Sequence, residues 1–217
     1  MRGLDAPTVT ETPPSEYVTR FSANERALHW LLAVTFLAML GTGLILYLPS
    51  LAQLAADRRL WKTIHLGAAI GFWAGAIVMV LGSWGEARTT ARQIDTFDDD
   101  DREWLKWAVR RGRPEPPQGR FNAGQKLNTA IIAGLLVVFT ISGTVMYLQE
   151  TNARFRGVTS AIQVHDWATY IAIPLVLGHL YLALLNPSSR HSLRGMVRGS
   201  VRRDWARRHH PKWEEQV

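Results

Sequence analysis

The sequence predicts an all-α membrane protein, a four-transmembrane-helix bundle with both termini cytoplasmic. Three observations lead there. Four stretches of the 217-residue chain, Trp30–Leu48, Ile64–Trp84, Leu127–Leu148 and Ile162–Leu185, hold almost no charge, and nearly all Lys, Arg, Asp and Glu lie between them. Each stretch is 19 to 24 residues long, and about 20 helical residues at about 1.5 Å rise cross an apolar bilayer core of about 30 Å. The stretches are apolar all round, whereas a helix of a soluble bundle carries one apolar stripe and a charged opposite face. A mean hydropathy of −0.05 hides this segregation by averaging spans with charged connectors.

The elements follow in order. Residues 1–20, with Pro7, Pro13 and Pro14, read as a flexible leader. A transmembrane domain over 21–186 contains spans at about 30–48, 64–84, 127–148 and 162–185 and a cytoplasmic loop at 85–126. The first span is not a cleavable signal, because a long polar leader precedes it and no small-residue cleavage site ends it. Trp30, Trp61, Trp84, Tyr47 and Tyr147 lie near span ends, where amphipathic rings suit the headgroup level. Gly67, Gly71 and Gly75 share one face of the second span, which serves close helix packing, clearance for a large flat ligand, or both. Pro174 is expected to kink the fourth span and free a carbonyl. Within the loop, Asp98–Asp101 reads as a solvated acidic run, Trp104 and Trp107 as a short interfacial helix, and Arg110–Pro117 as an irregular connector. Residues 187–217 form a basic cytoplasmic tail.

Counting Lys and Arg sets the orientation. Twenty lie in the leader, the 85–126 loop and the tail, against five in the two other connectors. The positive-inside rule places the first group in the cytoplasm. The tail's basic excess suits anionic lipid headgroups; with no recognition module visible, nucleic acid is not an expected partner. The absence of cysteine excludes disulfides, Cys-ligated iron–sulfur clusters and thioether-attached haem.

Histidines carry the chemistry. Of seven, four lie at or inside the spans: His29, His65, His165 and His179. Ionisable residues inside a membrane are costly and point to function. His165 and His179 are 14 residues apart, about 21 Å along a helix and within roughly 40° on one face. The topology puts His65 at the outer depth with His165, and His29 at the inner depth with His179. Two facing neutral imidazoles suit a haem iron with both axial positions taken by nitrogen; a proton relay or transport role is the alternative. Zinc is disfavoured because no carboxylate or thiolate completes a tetrahedral set. Asp166 could orient an imidazole or bind a partner at the outer surface, or serve only as an interfacial acid, and His209 and His210 are expected at the surface.

Four segments add a likeness: Glu25–Trp30, the run Arg120–Lys126 containing Asn122, Gly124 and Gln125, the His165/His179 pair, and the tail Arg207–Trp213. Over about residues 20–215 the chain resembles the cytochrome b556 gamma subunits of membrane-bound respiratory formate dehydrogenases. The resemblance implies two haem b groups with axial iron ligands His65 plus His165 (outer) and His29 plus His179 (inner). It also implies a menaquinone or ubiquinone site at Asn122, Gly124, Gln125 and His179. Read from the residues alone, Asn122–Gln125 is a helix start. The implied partners are an iron–sulfur beta subunit on the periplasmic side and a catalytic molybdenum or tungsten alpha subunit, in the bacterial inner membrane. Electrons would cross to reduce quinone near the cytoplasmic face, with formate oxidation in another chain. A cytochrome b of a hydrogenase or other periplasmic reductase, and a haem-free transporter or proton conduit, are the alternatives.

Overall fold

The computed structural model describes residues 16–54, 57–110, 114–155, 157 and 160–217. Most of the predicted leader, and residues 111–113 of the predicted connector, lie outside the described residues. Strand β1 (Tyr17–Thr19) leads into helix α1 (Ala23–Tyr47), a short α2 (Pro49–Leu54), then α3 (Arg58–Gly82) and the loop helices α4 (Trp84–Asp95) and α5 (Asp99–Arg110). Helix α6 (Ala123–Thr151) and α7 (Ser160–Leu180) follow, and α7 runs on into a wide turn, Tyr181–Leu185. The chain ends in α8 (Leu193–Arg198), β2 (Ser200–Arg202), α9 (Arg203–His209) and α10 (Pro211–Glu214). Four of these helices, Ala23–Tyr47, Arg58–Gly82, Ala123–Thr151 and Ser160–Leu185, are long and apolar enough to span a membrane.

The spanning helices start upstream of their apolar runs because polar caps fix their first turns. At α1, Ser22 Oγ accepts from the Glu25 amide at 3.1 Å while the Glu25 carboxylate accepts from the Ser22 amide at 2.9 Å. Asn122 and Gln125 form the same reciprocal box at α6, at 2.9 and 3.0 Å. Each box satisfies two amides that a helix start leaves unpaired. Asp57 caps α3. Beyond Pro174, the Asn186 amide reaches back five residues to the Tyr181 carbonyl at 3.0 Å, so the helix end widens immediately after His179.

Helix α1 packs chiefly on α3, and α6 on α7, so the bundle consists of two helical hairpins. The glycine stripe of α3 serves the first of these contacts. A Cβ at Gly75 would collide with the Leu31 side chain, and one at Gly71 would meet the Thr35 methyl at 4.0 Å. Large apolar side chains such as Val34, Ile70, Val78, Leu81 and Ile141 point outward, as a helix covered by lipid requires.

At the end of the bundle where the described chain begins and ends, residues 16–21 and the tail knit into a collar. Strands β1 and β2 pair antiparallel with Val18 opposite Val201, and Val18, Val201, Trp205, Ala206 and Trp213 form a small core. Gly199, at φ 83°, turns the chain so that its carbonyl accepts from the Arg20 and Phe21 amides. The acidic run also proves structured. Asp98 and Asp101 cap α5 reciprocally, Asp101 is 2% exposed and paired with Lys126 at 2.7 Å, and Lys212 holds Asp98 and Asp100. The cationic partners of these carboxylates, Lys126 and Lys212, are distant in sequence, which is why local composition reads the run as solvated.

Candidate functional site

Two imidazole pairs bridge the hairpins. Far from the termini, His65 of α3 and His165 of α7 place their ring centroids 6.4 Å apart at 61°; this is the distal pair. Near the termini, His29 of α1 and His179 of α7 stand 6.3 Å apart at 55°; this is the proximal pair. An imidazole–metal bond of about 2 Å plus a ring radius of about 1.2 Å on each side puts two axial ligands of one iron about 6.4 Å apart, centroid to centroid. Among the described residues no cluster of three or more His, Cys, Asp and Glu gathers as a metal site. Two lone imidazoles therefore suit a group that brings its own equatorial nitrogens, as haem does.

The distal rings are held from behind. Thr42 Oγ1 lies 2.9 Å from His65 Nδ1, and Ser142 Oγ lies 2.9 Å from His165 Nδ1. Each hydroxyl has a single hydrogen, and each sits 2.7 Å from the carbonyl four residues back, Ala38 and Val138. That hydrogen goes to the carbonyl, so the hydroxyl oxygen accepts from Nδ1–H. Nε2 then carries the lone pair in both rings. Gly43 and Gly143 lie beside the rings, where a Cβ at either position would sit in ordinary van der Waals contact, 3.6 Å from the imidazole Cε1. Between the hairpins lies an apolar cavity of about 610 Å³ lined by residues that include Gly43, His65, Phe139, Gly143 and His165. That volume falls in the range of small-molecule and cofactor pockets. Asp166, half-buried, borders the same cavity, and the hydroxyls of Tyr47 and Tyr170 bond to each other at its edge.

The proximal surroundings differ. His29 meets Trp30 edge-on at 5.6 Å, and the Trp30 indole donates to the Met196 carbonyl at 3.1 Å, which ties the start of α1 to the collar. Asn122 and Gln125 stand at the start of α6 with their side-chain oxygens engaged in the cap; their amide nitrogens are the atoms that can donate to a ligand. The bare face of Gly124 receives the Trp104 ring, which a Cβ there would meet at 3.0 Å.

Sequence reasoning missed Thr42, Ser142 and the collar residues. Hydroxyls are ordinary in apolar spans, and the available signal was their shared 23-residue interval to His65 and His165. His210, expected at the surface, is 2% exposed. Its Nδ1 donates to the Gly119 carbonyl at 2.7 Å, and its Nε2 accepts from Arg20 at 3.0 Å. Burial first, then the Arg20 charge, hold its pKa well below the ordinary histidine value.

Four apolar helices with imidazoles facing across them define a membrane-embedded cytochrome b. More narrowly, the chain belongs to the prokaryotic cytochrome b561 family, whose pattern matches residues 20–199. It is 26% identical over 209 residues to the cytochrome b556(Fdn) subunit of the nitrate-inducible formate dehydrogenase of Escherichia coli (strain K12), covering 94% of this chain and 93% of that one. It is equally similar, 26% over 208 residues, to the cytochrome b556(fdo) subunit of formate dehydrogenase from the same strain, covering 92% and 93%. The formate dehydrogenase cytochrome b556 subunit of Haemophilus influenzae is 24% identical over 205 residues, covering 90% and 82%.

Proposed function

We propose that the chain is the dihaem cytochrome b subunit of a formate dehydrogenase in the bacterial inner membrane, carrying electrons from a periplasmic iron–sulfur subunit to quinone near the cytoplasmic face. The observation that carries this reading is the presence of two cross-hairpin imidazole pairs at two depths, 6.4 and 6.3 Å apart. Haem, when bound at the pairs, would supply one-electron redox chemistry. His65 and His165 hold the outer group, and His29 and His179 the inner. The apolar walls of the spans exclude water from between the hairpins, and the hydroxyls of Thr42 and Ser142 fix the outer imidazoles.

Quinone binds where α6 begins, beside the proximal pair. The amide nitrogens of Asn122 and Gln125 donate to a quinone oxygen, with His179 at the same site; the open face of Gly124, expected to admit the quinone, is taken by the Trp104 ring. Both termini are cytoplasmic, in keeping with twenty basic residues on that side against five on the other. The distal end then faces the periplasm, where an iron–sulfur beta subunit docks and links to a molybdenum- or tungsten-containing alpha subunit. The near full-length similarity to subunits named for formate dehydrogenase favours that donor over a hydrogenase.

The test is a reduced-minus-oxidised visible spectrum of the purified full-length chain, with haem quantified per chain, followed by co-purification in mild detergent. Two b-type centres and a formate-oxidising partner are expected. A pigment-free protein from haem-sufficient cells rejects the cytochrome role, and a co-purifying hydrogenase replaces the formate assignment.

A further inference from the structure

We infer that Thr42 and Ser142 are a matched pair of positioning residues, which lock both distal histidines in the tautomer that offers Nε2 to a metal. This rests on the haem reading above and adds the device that prepares its outer site.

The pairing follows from an internal repeat with an offset of 100 residues. Arg20-Phe21-Ser22-Ala23 recurs as Arg120-Phe121-Asn122-Ala123, Thr42-Gly43 as Ser142-Gly143, and His65 as His165. The structure treats these as equivalents. Arg20 donates to the Arg120 carbonyl at 2.7 Å while Arg120 Nε donates to the Arg20 carbonyl at 2.9 Å. Phe21 and Phe121 face each other at 6.0 Å, and both helix starts carry the same reciprocal cap. Hairpins α1/α3 and α6/α7 are thus two copies of one unit about a pseudo-two-fold axis, and the distal pair consists of equivalent residues meeting across it.

Each copy presents the same seat: a hydroxyl 2.9 Å from Nδ1, and next to it a glycine leaving 3.6 Å to Cε1. Coincidence at one histidine would be unremarkable in a membrane helix. The same two-residue device at both, with identical intervals, is a built feature of the site. A hydrogen bond accepted from Nδ1–H fixes the ring and raises the basicity of the ligating nitrogen, and losing such a partner typically lowers metal affinity 10- to 100-fold. A more basic ligand favours oxidised iron, so its loss also raises the midpoint potential.

Thr42→Val, Ser142→Ala, the double variant and Thr42→Ser are prepared as full-length protein in detergent. Haem loss to an apomyoglobin acceptor and the redox titration of each centre are compared with wild type. Thr42→Val and Ser142→Ala should weaken haem retention at the outer centre about 10- to 100-fold and raise its midpoint, with the inner centre unmoved as an internal reporter of folding. Thr42→Ser should restore both properties. Ser142→Ala removes only an oxygen and carries the test if Thr42→Val perturbs packing. An outer centre with wild-type retention and midpoint in Ser142→Ala and the double variant overturns the positioning role while leaving the cytochrome assignment standing. A wild-type chain without haem overturns both.

Discussion

At the far end of the bundle, His65 and His165 each lean on a hydroxyl of their own hairpin and face an apolar cavity of about 610 Å³. At the terminal end, His29 and His179 approach as closely, yet among the described residues neither imidazole has a hydrogen-bond partner. The repeat explains the contrast. The distal histidines are equivalent positions of two copies, so one seat was made twice, whereas the residues 100 positions from His29 and His179 are Thr129 and Met79. The proximal pair therefore joins non-equivalent positions and depends on what adjoins it: Trp30, the widened end of α7 and the collar. The distal site is self-contained inside the spans; the proximal site is coupled to the polar structure at the membrane surface.

Removing a ring tests that division most severely. His65→Ala or His165→Ala should abolish the outer b-type centre and leave the inner one largely intact, and His29→Ala or His179→Ala should do the reverse, as read by haem stoichiometry and difference spectra. A single substitution that empties both pairs would mean the two sites are not independent. Next in size, Gly43→Leu places a bulky side chain where only 3.6 Å separates a Cβ from the His65 ring. It should eliminate the outer centre alone. Gly41→Ala, which has nothing within 4 Å of the new methyl, should retain both.

How much of this was legible beforehand varies with the range of the interaction. Spans are a matter of length and local polarity, so the four helices could be read directly. The common face of His165 and His179 follows from helical periodicity, and the approach of His65 and His29 to them from alternating span direction. The seats needed more, because the hydroxyl of Thr42 acts on a ring 23 residues away on another helix. The collar was opaque for a related reason. Strand Tyr17–Thr19 has too few residues to announce itself, and its partner Ser200–Arg202 lies at the other end of the chain. Likewise Asp101 reads as a surface acid until Lys126 is placed beside it.

A moderate effect separates the two roles open to Asn122. Its side-chain oxygen caps α6, and an N-cap of this kind contributes about 1 kcal/mol. Serine caps equally well but has no amide. Asn122→Ser should therefore keep thermal stability and both haems while slowing turnover with a water-soluble quinone, and Asn122→Ala should lose about 1 kcal/mol in addition. Normal quinone reduction in the serine variant would restrict Asn122 to its cap and move the quinone away from the start of α6.

The smallest expected effect concerns acid and the collar. His210 is neutral in the fold, donating from Nδ1 to Gly119 and accepting at Nε2 from Arg20, and its pKa lies well below the ordinary value because it is buried and faces that guanidinium. The unfolded collar binds a proton near pH 6.5 and the folded one only at lower pH. Stability from this group is therefore complete above about pH 6.5 and falls as pH drops towards the folded pKa, by at most about 1.4 kcal/mol per pH unit. Trp205 lies against His210 with ring centroids 5.2 Å apart and planes tilted by 52°, so tryptophan fluorescence should report the loosening. Because Trp30 ties α1 to Met196 beside the collar, acid should also perturb the inner b-type spectrum before the outer. His210→Asn keeps a donor and an acceptor but does not titrate, so it should flatten this pH response. A response that persists in the asparagine variant, or one that reaches the outer centre first, would place the acid-sensitive contact elsewhere and remove the asymmetry between the two ends of the bundle.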